Sequence, residues 1–493
     1  MNELFQVINA FVDKILFFDI FFEQIEGVSF PFVVAWLILG GVYLTIKMGF
    51  VNLHMFAHSF AIVRGKFRTK EDKGLITPFQ SLATALSATV GIGNIAAVSI
   101  AISLGGAGAA FWMIIAGFLG MTLKFTEVTL SVKHREFLPD GTIMGGGMEY
   151  LSRGLAQKGM HNLGKILAII FAFFMIFGAL GAGNLFQISQ SVAIMQEHIP
   201  FLKESSLTFG LVKDNGYLFG LFMAIITGLV IIGGIKRIAQ VAAKIVPLMV
   251  IFYLLMVFWV LGTYFTAIPD AFALIFTEAF SPTAVAGGML GAMIQGFQRA
   301  VFSNEAGLGS AGIAHSTAKV KYPVRQGLVS LYEPFIDTVV VCTMTALVVI
   351  LTGSYLGGTE ALEAAIVAKQ GAVITSTAFG SVVSWFSTVL GFAIFMFAFS
   401  TMVTWSYYGE RAWVYLFGTK SSIIYKLIFL AFIVIATITE TETMVEFSSI
   451  LFLALAVPNI IGLLILSGDV KEMLQEYLTK LKSGEFDKEA IRD

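Results

Sequence analysis

The feature that most constrains this chain is a series of about eleven apolar runs, each near the ~20 residues that a helix needs to cross a bilayer. Water is excluded from the bilayer core, so helices are the expected way for such runs to satisfy their backbone polar groups. We call the first run the leading helix and the others core helices 1 to 10. The runs are 28–50, 80–104, 107–132, 163–194, 217–234, 245–266, 284–312, 326–352, 378–408, 423–439 and 445–466.

The composition supports an integral membrane protein whose main surroundings are the lipid bilayer. Hydrophobic residues make up 57% of the chain and charged residues 13%, against about 45–50% and about 25% in soluble domains. The 31 Lys+Arg against 32 Asp+Glu argue against a strongly basic nucleic-acid binder. The single cysteine, Cys342, excludes a disulfide scaffold. No obligate protein partner is evident.

The distribution of Lys and Arg predicts the orientation of the chain. Basic residues concentrate in alternate connections, at 47–73, 133–165, 236–244, 319–325 and 411–426, which we call the basic face. The other connections, the acidic face, carry Asp270, Glu278, Glu360, Glu363, Glu440, Glu442 and Glu446. The positive-inside rule then places the N-terminus outside and the C-terminus in the cytoplasm. We expect residence in a cell inner (plasma) membrane.

Three regions follow from this topology. Residues 1–27 are apolar on one side and carry scattered charges, which predicts an amphipathic segment lying on the membrane. Residues 28–466 form the membrane domain, with the leading helix at 28–50. Residues 467–493 are polar and are expected to form a solvated cytoplasmic tail.

The ten core helices divide into two sets of five, at 80–266 and 284–466. Their first helices, core helices 1 and 6, run in opposite directions. This predicts an all-α polytopic protein with a 5+5 inverted repeat and one leading helix, an architecture of many secondary transporters. In that architecture the first helix of each half is broken near the middle of the bilayer.

Core helix 1 has the composition expected of such a break. The run 89–94, TVGIGN, lies about halfway along the span at 1.5 Å per residue. Two glycines each weaken a helix by about 1 kcal/mol relative to alanine. Freed N–H groups suit a carboxylate, and freed carbonyl groups suit a cation. The alternative is close helix packing, for which small residues are also used.

Other polar residues within the spans have two interpretations each. Core helix 6 is unusually polar from Gly291 to Gly309, which is functional by default in a membrane. Gln187, beside Asn184 and Gln190, is either a ligand or an interhelical hydrogen-bonding residue. The hydroxyls of core helix 8 form a cation site or bond to their own helix. Trp405 lines a cavity or belongs to an interface belt.

Charged residues within the spans suggest a gate on the basic side or static pairing at equal weight. Lys124 and Glu127 are one turn apart and are expected to pair. The proposed gate consists of Arg299, Glu305, Glu333 and Asp337. The six histidines are scattered, and none is placed where it would serve chemistry within a span.

Several runs resemble the alanine or glycine:cation (sodium) symporter family, which belongs to the LeuT-type (amino acid–polyamine–organocation) superfamily. The runs are SATVGIGNIAAV, KFTEVTLSVKHRE, GNLFQISQSV, QGFQRAVFSNEAGLGSA and FSTMVTWSYYGERA. They cover most core helices, and the helix number and order agree. The resemblance implies a LeuT-type fold and transport of small amino acids with sodium.

The resemblance also implies roles for residues of this sequence. The substrate carboxylate would be bound by the break in core helix 1, the amino group by carbonyls of core helix 6 at 294–297, and the rest by core helices 3 and 8. The substrate-binding candidates are Thr89, Gly91, Ile92, Gly93, Asn94, Gln187, Ile294, Gln295, Phe297 and Trp405. The sodium candidates are Ser87, Val90, Phe397, Ser400 and Thr401.

We therefore expect a sodium-coupled symporter that takes up small neutral amino acids, chiefly alanine or glycine, by alternating access. We expect that it is not an enzyme. We also expect that it binds the co-transported sodium ion and needs no organic cofactor. A channel would need a selectivity filter repeated by oligomeric symmetry, whereas the polar residues here lie in two breaks of one chain. An intramembrane enzyme would need a nucleophile with its base, or a set of metal ligands, within the spans, and the sequence has neither motif. The nearer alternative is a proton-coupled transporter of the same fold. The titratable residues that could carry the proton, Glu127, Glu305 and Asp337, are expected to lie off the bilayer midplane.

Overall fold

The computed structural model describes residues 14, 16–20, 30–208, 212–281 and 288–490. The predicted amphipathic segment 1–27 therefore lies largely outside the described residues. The chain is almost entirely helical, with one two-stranded antiparallel hairpin, Glu136–Phe137 and Ile143–Met144.

The leading helix and the first half of the core follow in chain order. The leading helix is Phe32–Lys47, followed by two short helices, Val51–His54 and Phe56–Val63. Core helix 1 is Pro78–Thr89, Ile92–Asn94 and Ala96–Gly105; core helix 2 is Gly108–Lys133. After the short helical segments Gly147–Glu149, Tyr150–Gly154 and Leu155–Gln157, core helix 3 is His161–Leu180, Gly181–Leu185 and Phe186–His198. Core helix 4 is Gly216–Ile231 and core helix 5 is Gly234–Thr263.

The second half begins after a connecting helix, Ile268–Phe280. Core helix 6 is Gly288–Asn304 and Ala311–His315. Core helix 7 is Pro323–Val329, Tyr332–Pro334, Phe335–Cys342 and Thr343–Thr352. Two connecting helices follow, Glu360–Val367 and Gly371–Val382. Core helix 8 is Phe386–Phe417, core helix 9 is Ser422–Thr437, core helix 10 is Thr441–Ala454 and Ala456–Lys482, and the last helix is Glu485–Glu489.

Seven helices of the described residues are long and apolar enough to cross a membrane, or eight when the two parts of core helix 1 count as one span. Three further predicted spans coincide with shorter helices, Phe32–Lys47, Gly216–Ile231 and Gly288–Asn304. The chain is thus a multi-pass membrane protein. The count of eleven and the inverted repeat stay predictions.

The interruption predicted in core helix 1 is present. The helix begins with a capping box, in which the Thr77 side chain accepts from the Gln80 N–H and the Gln80 side chain accepts from the Thr77 N–H. It ends at Thr89, and the part that follows is turned by 56°. The predicted start of core helix 8 at 378 is wrong. Val383 is extended (φ −139°, ψ 112°), so Gly371–Val382 is a separate helix.

That separate helix holds the second part of core helix 1 in place. A Cβ at Gly371 would lie 2.0 Å from the Ala96 carbonyl oxygen, so only glycine permits this approach. The Thr375 hydroxyl lies 2.5 Å from the Ser99 hydroxyl and donates to the Ile95 carbonyl at 3.0 Å.

The C-terminal part, which the sequence predicts to be a solvated tail, is exposed on one side and packs its other side against the protein. Core helix 10 continues to Lys482, and Tyr477 and Phe486 are buried. The Phe486 ring contacts the Tyr477 ring at a tilt of 36°, with ring centroids 4.6 Å apart, and its centroid lies 4.5 Å from the Arg325 guanidinium carbon. The Tyr477 hydroxyl lies 2.9 Å from His58 Nε2, and burial lowers the pKa of His58. The tail therefore packs against the basic ends of the leading region and core helix 7.

Truncating Phe486 should release this tail. Phe486→Ala removes a buried ring whose transfer from water contributes roughly 1.5–3 kcal/mol. We expect limited proteolysis at residues 483–490 to become more than tenfold faster in the purified protein. Lys488→Ala, at an exposed position of the same short helix, is the matched control. Equal cleavage rates in the two variants would show that Phe486 does not hold the tail.

Candidate functional site

The break in core helix 1 is the centre of the candidate site. The Gly91 N–H donates to Asn94 Oδ1 at 2.9 Å, and the Ile92 N–H donates to Gln187 Oε1 at 3.3 Å. Gln187 in turn donates to the Ala182 carbonyl at 2.9 Å. Core helix 3 thus reaches the N–H groups predicted to bind a carboxylate, and a substrate there would replace the long bond from Gln187.

Glycine lets two other helices approach the break. A Cβ at Gly91 would lie 2.3 Å from Thr401 Oγ1 and 3.4 Å from Gln187 Oε1. A Cβ at Gly93 would lie 3.3 Å from Ser303 Cα. Core helix 8 therefore touches the break on one side and core helix 6 on the other.

Four buried hydroxyl residues join core helices 1 and 8 beside the break. Ser87 Oγ lies 2.7 Å from Ser400 Oγ and 2.9 Å from the Ser400 carbonyl oxygen. Thr404 Oγ1 donates to Ser87 Oγ at 3.0 Å, and Thr401 Oγ1 donates to the Ser87 carbonyl at 3.2 Å. These three residues of core helix 8 bond across to core helix 1, rather than only to their own helix. Such a cluster of neutral oxygens suits a hard cation.

The other two sodium candidates flank this hydroxyl cluster. Val90 is buried one residue past the end of the first part of core helix 1. Phe397 is buried one turn before Ser400 and Thr401 in core helix 8. Thr89, a substrate candidate, is buried and donates to its own helix at Ala85, at 3.3 Å.

Asn94 links the break to core helix 7. Its amide donates to Asp337 Oδ1 at 2.6 Å and to the Asp337 carbonyl oxygen at 3.0 Å, and it lies 3.4 Å from Cys342 Sγ. The Asp337 carboxylate, which the sequence predicted to belong to a gate, therefore lies beside the break. Since both ends of the Asn94 side chain contact protein, this residue fixes the shape of the break.

Trp405 lies inside the protein and not in an interface belt. It is 2% exposed, and its indole N–H donates to Glu305 Oε1 at 3.1 Å. A Cβ at Gly183 would lie 2.3 Å from Trp405 Cβ, so glycine makes room for the indole. Glu305 is left-handed (φ 60°) and also accepts a hydrogen bond from the Ser310 hydroxyl.

Core helix 6 breaks later than the predicted ligands require. The helix is continuous through 294–297 and ends at Asn304, so the carbonyl groups of that stretch belong to helical turns. Phe297 packs on Trp112, with ring centroids 6.3 Å apart, and Gln295 lies against Gly105. Ile294 packs against the hydrophobic core. These contacts do not support substrate binding by Ile294, Gln295 and Phe297, which stays a prediction.

The chain is matched along residues 16–491 by the model of the sodium:alanine symporter family. The sodium/alanine symporter AgcS of Methanococcus maripaludis is 39% identical over 446 residues, which are 89% of this chain and 92% of that one. The chain belongs to the sodium:alanine symporter family. It is a transporter and not an enzyme.

Two further similarities agree with this assignment. The probable sodium/glutamine symporter GlnT of Bacillus subtilis is 31% identical over 450 residues, covering 90% of this chain and 87% of that one. The crystal structure of MhsT in complex with L-phenylalanine superposes with a TM-score of 0.52 at 14% identity, over 80% of this chain and 88% of that chain. The latter shows a shared LeuT-type fold. The family supports sodium-coupled amino acid symport.

Within the described residues, no salt bridge links the four charges of the predicted gate to one another, and the gate stays a prediction. Arg299 is buried and donates to Ser449 in core helix 10 at 3.1 Å. Glu305 faces Trp405 and Asp337 faces Asn94, as described above. Glu333 belongs to a group of buried charged and polar residues in core helices 2, 6 and 7.

At the centre of that group is a buried ion pair between Lys124 and Glu333, which sequence reasoning missed. Lys124 Nζ lies 3.2 Å from Glu333 Oε2, and neither side chain is exposed. Glu333 also contacts His315, whose Nδ1 lies 2.6 Å from Gln326 and 3.2 Å from Ser81. The expected pairing of Lys124 with Glu127 is wrong. The only sequence signal was the density of polar residues at the end of core helix 6.

Glu127 instead supports the broken part of core helix 6. Its Oε1 accepts from the Gly309 N–H at 3.1 Å and from the Asn459 amide at 2.8 Å. Asn459 also donates to the Gly307 carbonyl at 2.8 Å. Of the two glutamine candidates in core helix 3, Gln190 is interhelical, since it donates to the Lys369 carbonyl and accepts from the Ala372 N–H.

A cavity of about 390 Å³ opens on the acidic face of the symporter. It begins at Val192 and Gln196, which continue core helix 3 beyond Gln190, and is closed on the other side by residues 437–442. Its lining includes Lys213, Asp214, Glu440 and Glu442. Trp405, Glu305 and the Lys124–Glu333 ion pair are all buried.

Proposed function

We propose that this protein takes up small neutral amino acids, chiefly alanine or glycine, by sodium-coupled symport with alternating access. It would do so in a cell inner membrane, with its N-terminus outside and its C-terminus in the cytoplasm. The observation that carries the proposal is that the hydroxyl cluster at Ser87 and the glycines at 91 and 93 lie on the same interrupted helix. AgcS of Methanococcus maripaludis, to which the chain is 39% identical, is a sodium/alanine symporter, which agrees with it.

The geometry favours a small substrate. Gly91 is bounded by Thr401 and Gln187, and a single added carbon would overlap Thr401. A Cβ added at Gly93 would lie 3.3 Å from Ser303 Cα, closer than an ordinary van der Waals contact. A substrate carboxylate at the N–H groups of the break would have a favourable dipole, but a long side chain would find little room between core helices 6 and 8.

The proposed coupling follows from the shared helix end. A sodium ion at Ser87, Val90, Phe397, Ser400 and Thr401 would fix the last turn before the break, while the substrate would fix the first turn after it. Two ligands that favour one conformation of the break must raise each other's affinity by the same factor. The sodium gradient then drives substrate uptake.

Removing one hydroxyl should weaken the response to sodium. Thr401→Val keeps the shape and deletes an oxygen, so we expect the sodium concentration for half-maximal alanine uptake to rise about tenfold, equivalent to ~1.4 kcal/mol. Alanine affinity at saturating sodium should change much less, because excess ion fills the weakened site. Thr401→Ser, which retains the oxygen, is the control. If alanine affinity at saturating sodium fell while the sodium response stayed the same, Thr401 would contact the substrate and not the ion.

The direct test is uptake of labelled alanine and glycine into vesicles containing the purified protein. A sodium gradient should drive accumulation, and sodium-free buffer should abolish it. A proton-coupled transporter is the second candidate, favoured by the Asp337 carboxylate beside the break. In that case a pH gradient alone would drive uptake, and Asp337→Asn would remove it.

A further inference from the structure

Two backbone segments close the basic face beneath both broken helices. Residues 73–76 lead into core helix 1, and residues 316–320 leave core helix 6. They pair as short bridges, Lys73 with Val320 and Ile76 with Ala318. The Leu75 N–H donates to the Thr317 carbonyl and the Lys319 N–H to the Ile76 carbonyl, both at 2.8 Å.

The two segments are in backbone contact. A Cβ at Gly74 would lie 2.3 Å from the Ala318 carbonyl oxygen. Any side chain at position 74 would therefore separate them. Because they belong to different halves of the core, 240 or so residues apart in sequence, nothing in the local chain holds them together.

One guanidinium group joins both segments. Arg135 follows directly on core helix 2, and its Nη1 donates to the carbonyls of Ser316 at 2.8 Å and Ala318 at 2.7 Å. Its Nη2 donates to the carbonyls of Lys73 at 2.8 Å and Val320 at 3.1 Å. The two terminal nitrogens of one planar group thus donate to four carbonyl oxygens on two segments.

The charge of this group persists although it is partly buried. Desolvation lowers the pKa of Arg135 to about 10, which leaves it protonated at neutral pH. The Phe137 ring covers it, with the guanidinium carbon 5.1 Å from the ring centroid. Hydrogen bonds from a charged donor are stronger than neutral ones, so these four contacts favour the closed arrangement.

We propose that Arg135 is the gate residue of the basic face: it holds the entry of core helix 1 against the exit of core helix 6, and its contacts break when the site opens there. The proposal rests on the proposed function, because alternating access requires this face to open. Arg135 acts through the two segments and does not touch the substrate site. Lysine, with one ammonium, cannot bridge four carbonyls in this geometry.

The test measures opening without transport. Cys342, the only cysteine, is replaced by serine, and a reporter cysteine is placed at Ser81, which is buried against Ala314 above the two segments. A water-soluble maleimide then labels the purified protein in detergent. In Arg135→Gln we expect labelling to be about tenfold faster, and in Arg135→Lys to be intermediate.

Arg153→Gln is the matched control on the same face, since Arg153 pairs with the carboxylates of Glu136 and Glu149 and not with carbonyl groups of the two segments. It should label like the parent. Equal rates in Arg135→Gln and the parent, or equal acceleration in Arg153→Gln, would overturn the proposal. Variants are compared only where their size-exclusion elution matches that of the parent. If Arg135→Gln does not fold by this criterion, the labelling rate of Arg135→Lys is compared with the parent instead. Loss of sodium-driven uptake in the parent would refute the proposed function but leave this labelling difference intact.

Discussion

Gly91→Ala is expected to reduce sodium-driven alanine uptake roughly 100-fold, since overpacking of up to about 3 kcal/mol corresponds to such a factor. The added methyl group would lie 2.3 Å from Thr401 Oγ1, far inside van der Waals contact. Thr401 is held by the Ser87 carbonyl and so has little freedom to move. The same methyl group would also approach Gln187 Oε1 at 3.4 Å.

The variant should affect both ligands, because Gly91 separates the hydroxyl cluster from the proposed carboxylate site. Sodium and alanine binding, measured by calorimetry on purified protein, should both weaken. The matched control is Gly262→Ala in core helix 5, where an added Cβ meets no atom of the described residues within 4 Å. Normal uptake in Gly91→Ala would mean that the break is wider during transport than in this conformation, and would remove the steric argument for a small substrate.

Lys124→Met should cost about 3–5 kcal/mol of stability, the range found when one partner of a buried ion pair is removed. Methionine has nearly the length of the lysine stem, so the loss is electrostatic and not a cavity effect. Glu333 would keep its contact with His315 but lose the Lys124 ammonium, 3.2 Å away in a region without solvent exposure. Thermal unfolding in detergent should show a lower midpoint.

A second substitution separates charge from packing. In Lys124→Met with Glu333→Gln, the carboxylate that paired with Lys124 is neutral as well, and we expect most of the lost stability to return. Lys165→Met, at an exposed position near the start of core helix 3, should leave the midpoint unchanged. If the double variant were as unstable as the single one, the pair would matter for packing rather than for charge.

The sequence predicted the features that depend on local composition. Long apolar runs specify membrane helices because the bilayer leaves the backbone no other partner. Gly91, Gly93 and the neighbouring Asn94 mark the break in core helix 1, since glycine weakens a helix wherever it occurs. The family was recognisable from the same runs, and the family model confirms it.

The sequence misplaced features that depend on partners distant along the chain. Lys124 was expected to pair with Glu127, one turn away, but Glu333 is brought to it by the packing of core helix 7 on core helix 2. Arg299 looked like a gate residue, yet it bonds to Ser449. Polar residues run along all of core helix 6, so composition did not show that the helix continues to Asn304.

The sequence by itself therefore determined the membrane class, the helical content, the broken first core helix and the family. Each of these follows from residues that are neighbours in the chain, whose hydrophobicity and conformational freedom act locally. Only the tertiary structure decided that Thr401 bonds to Ser87, that Asp337 reaches Asn94, and that one arginine spans two segments of the basic face. Those pairings are chosen by the distances between packed helices, because a buried polar group must find a partner within about 3 Å wherever in the chain that partner lies.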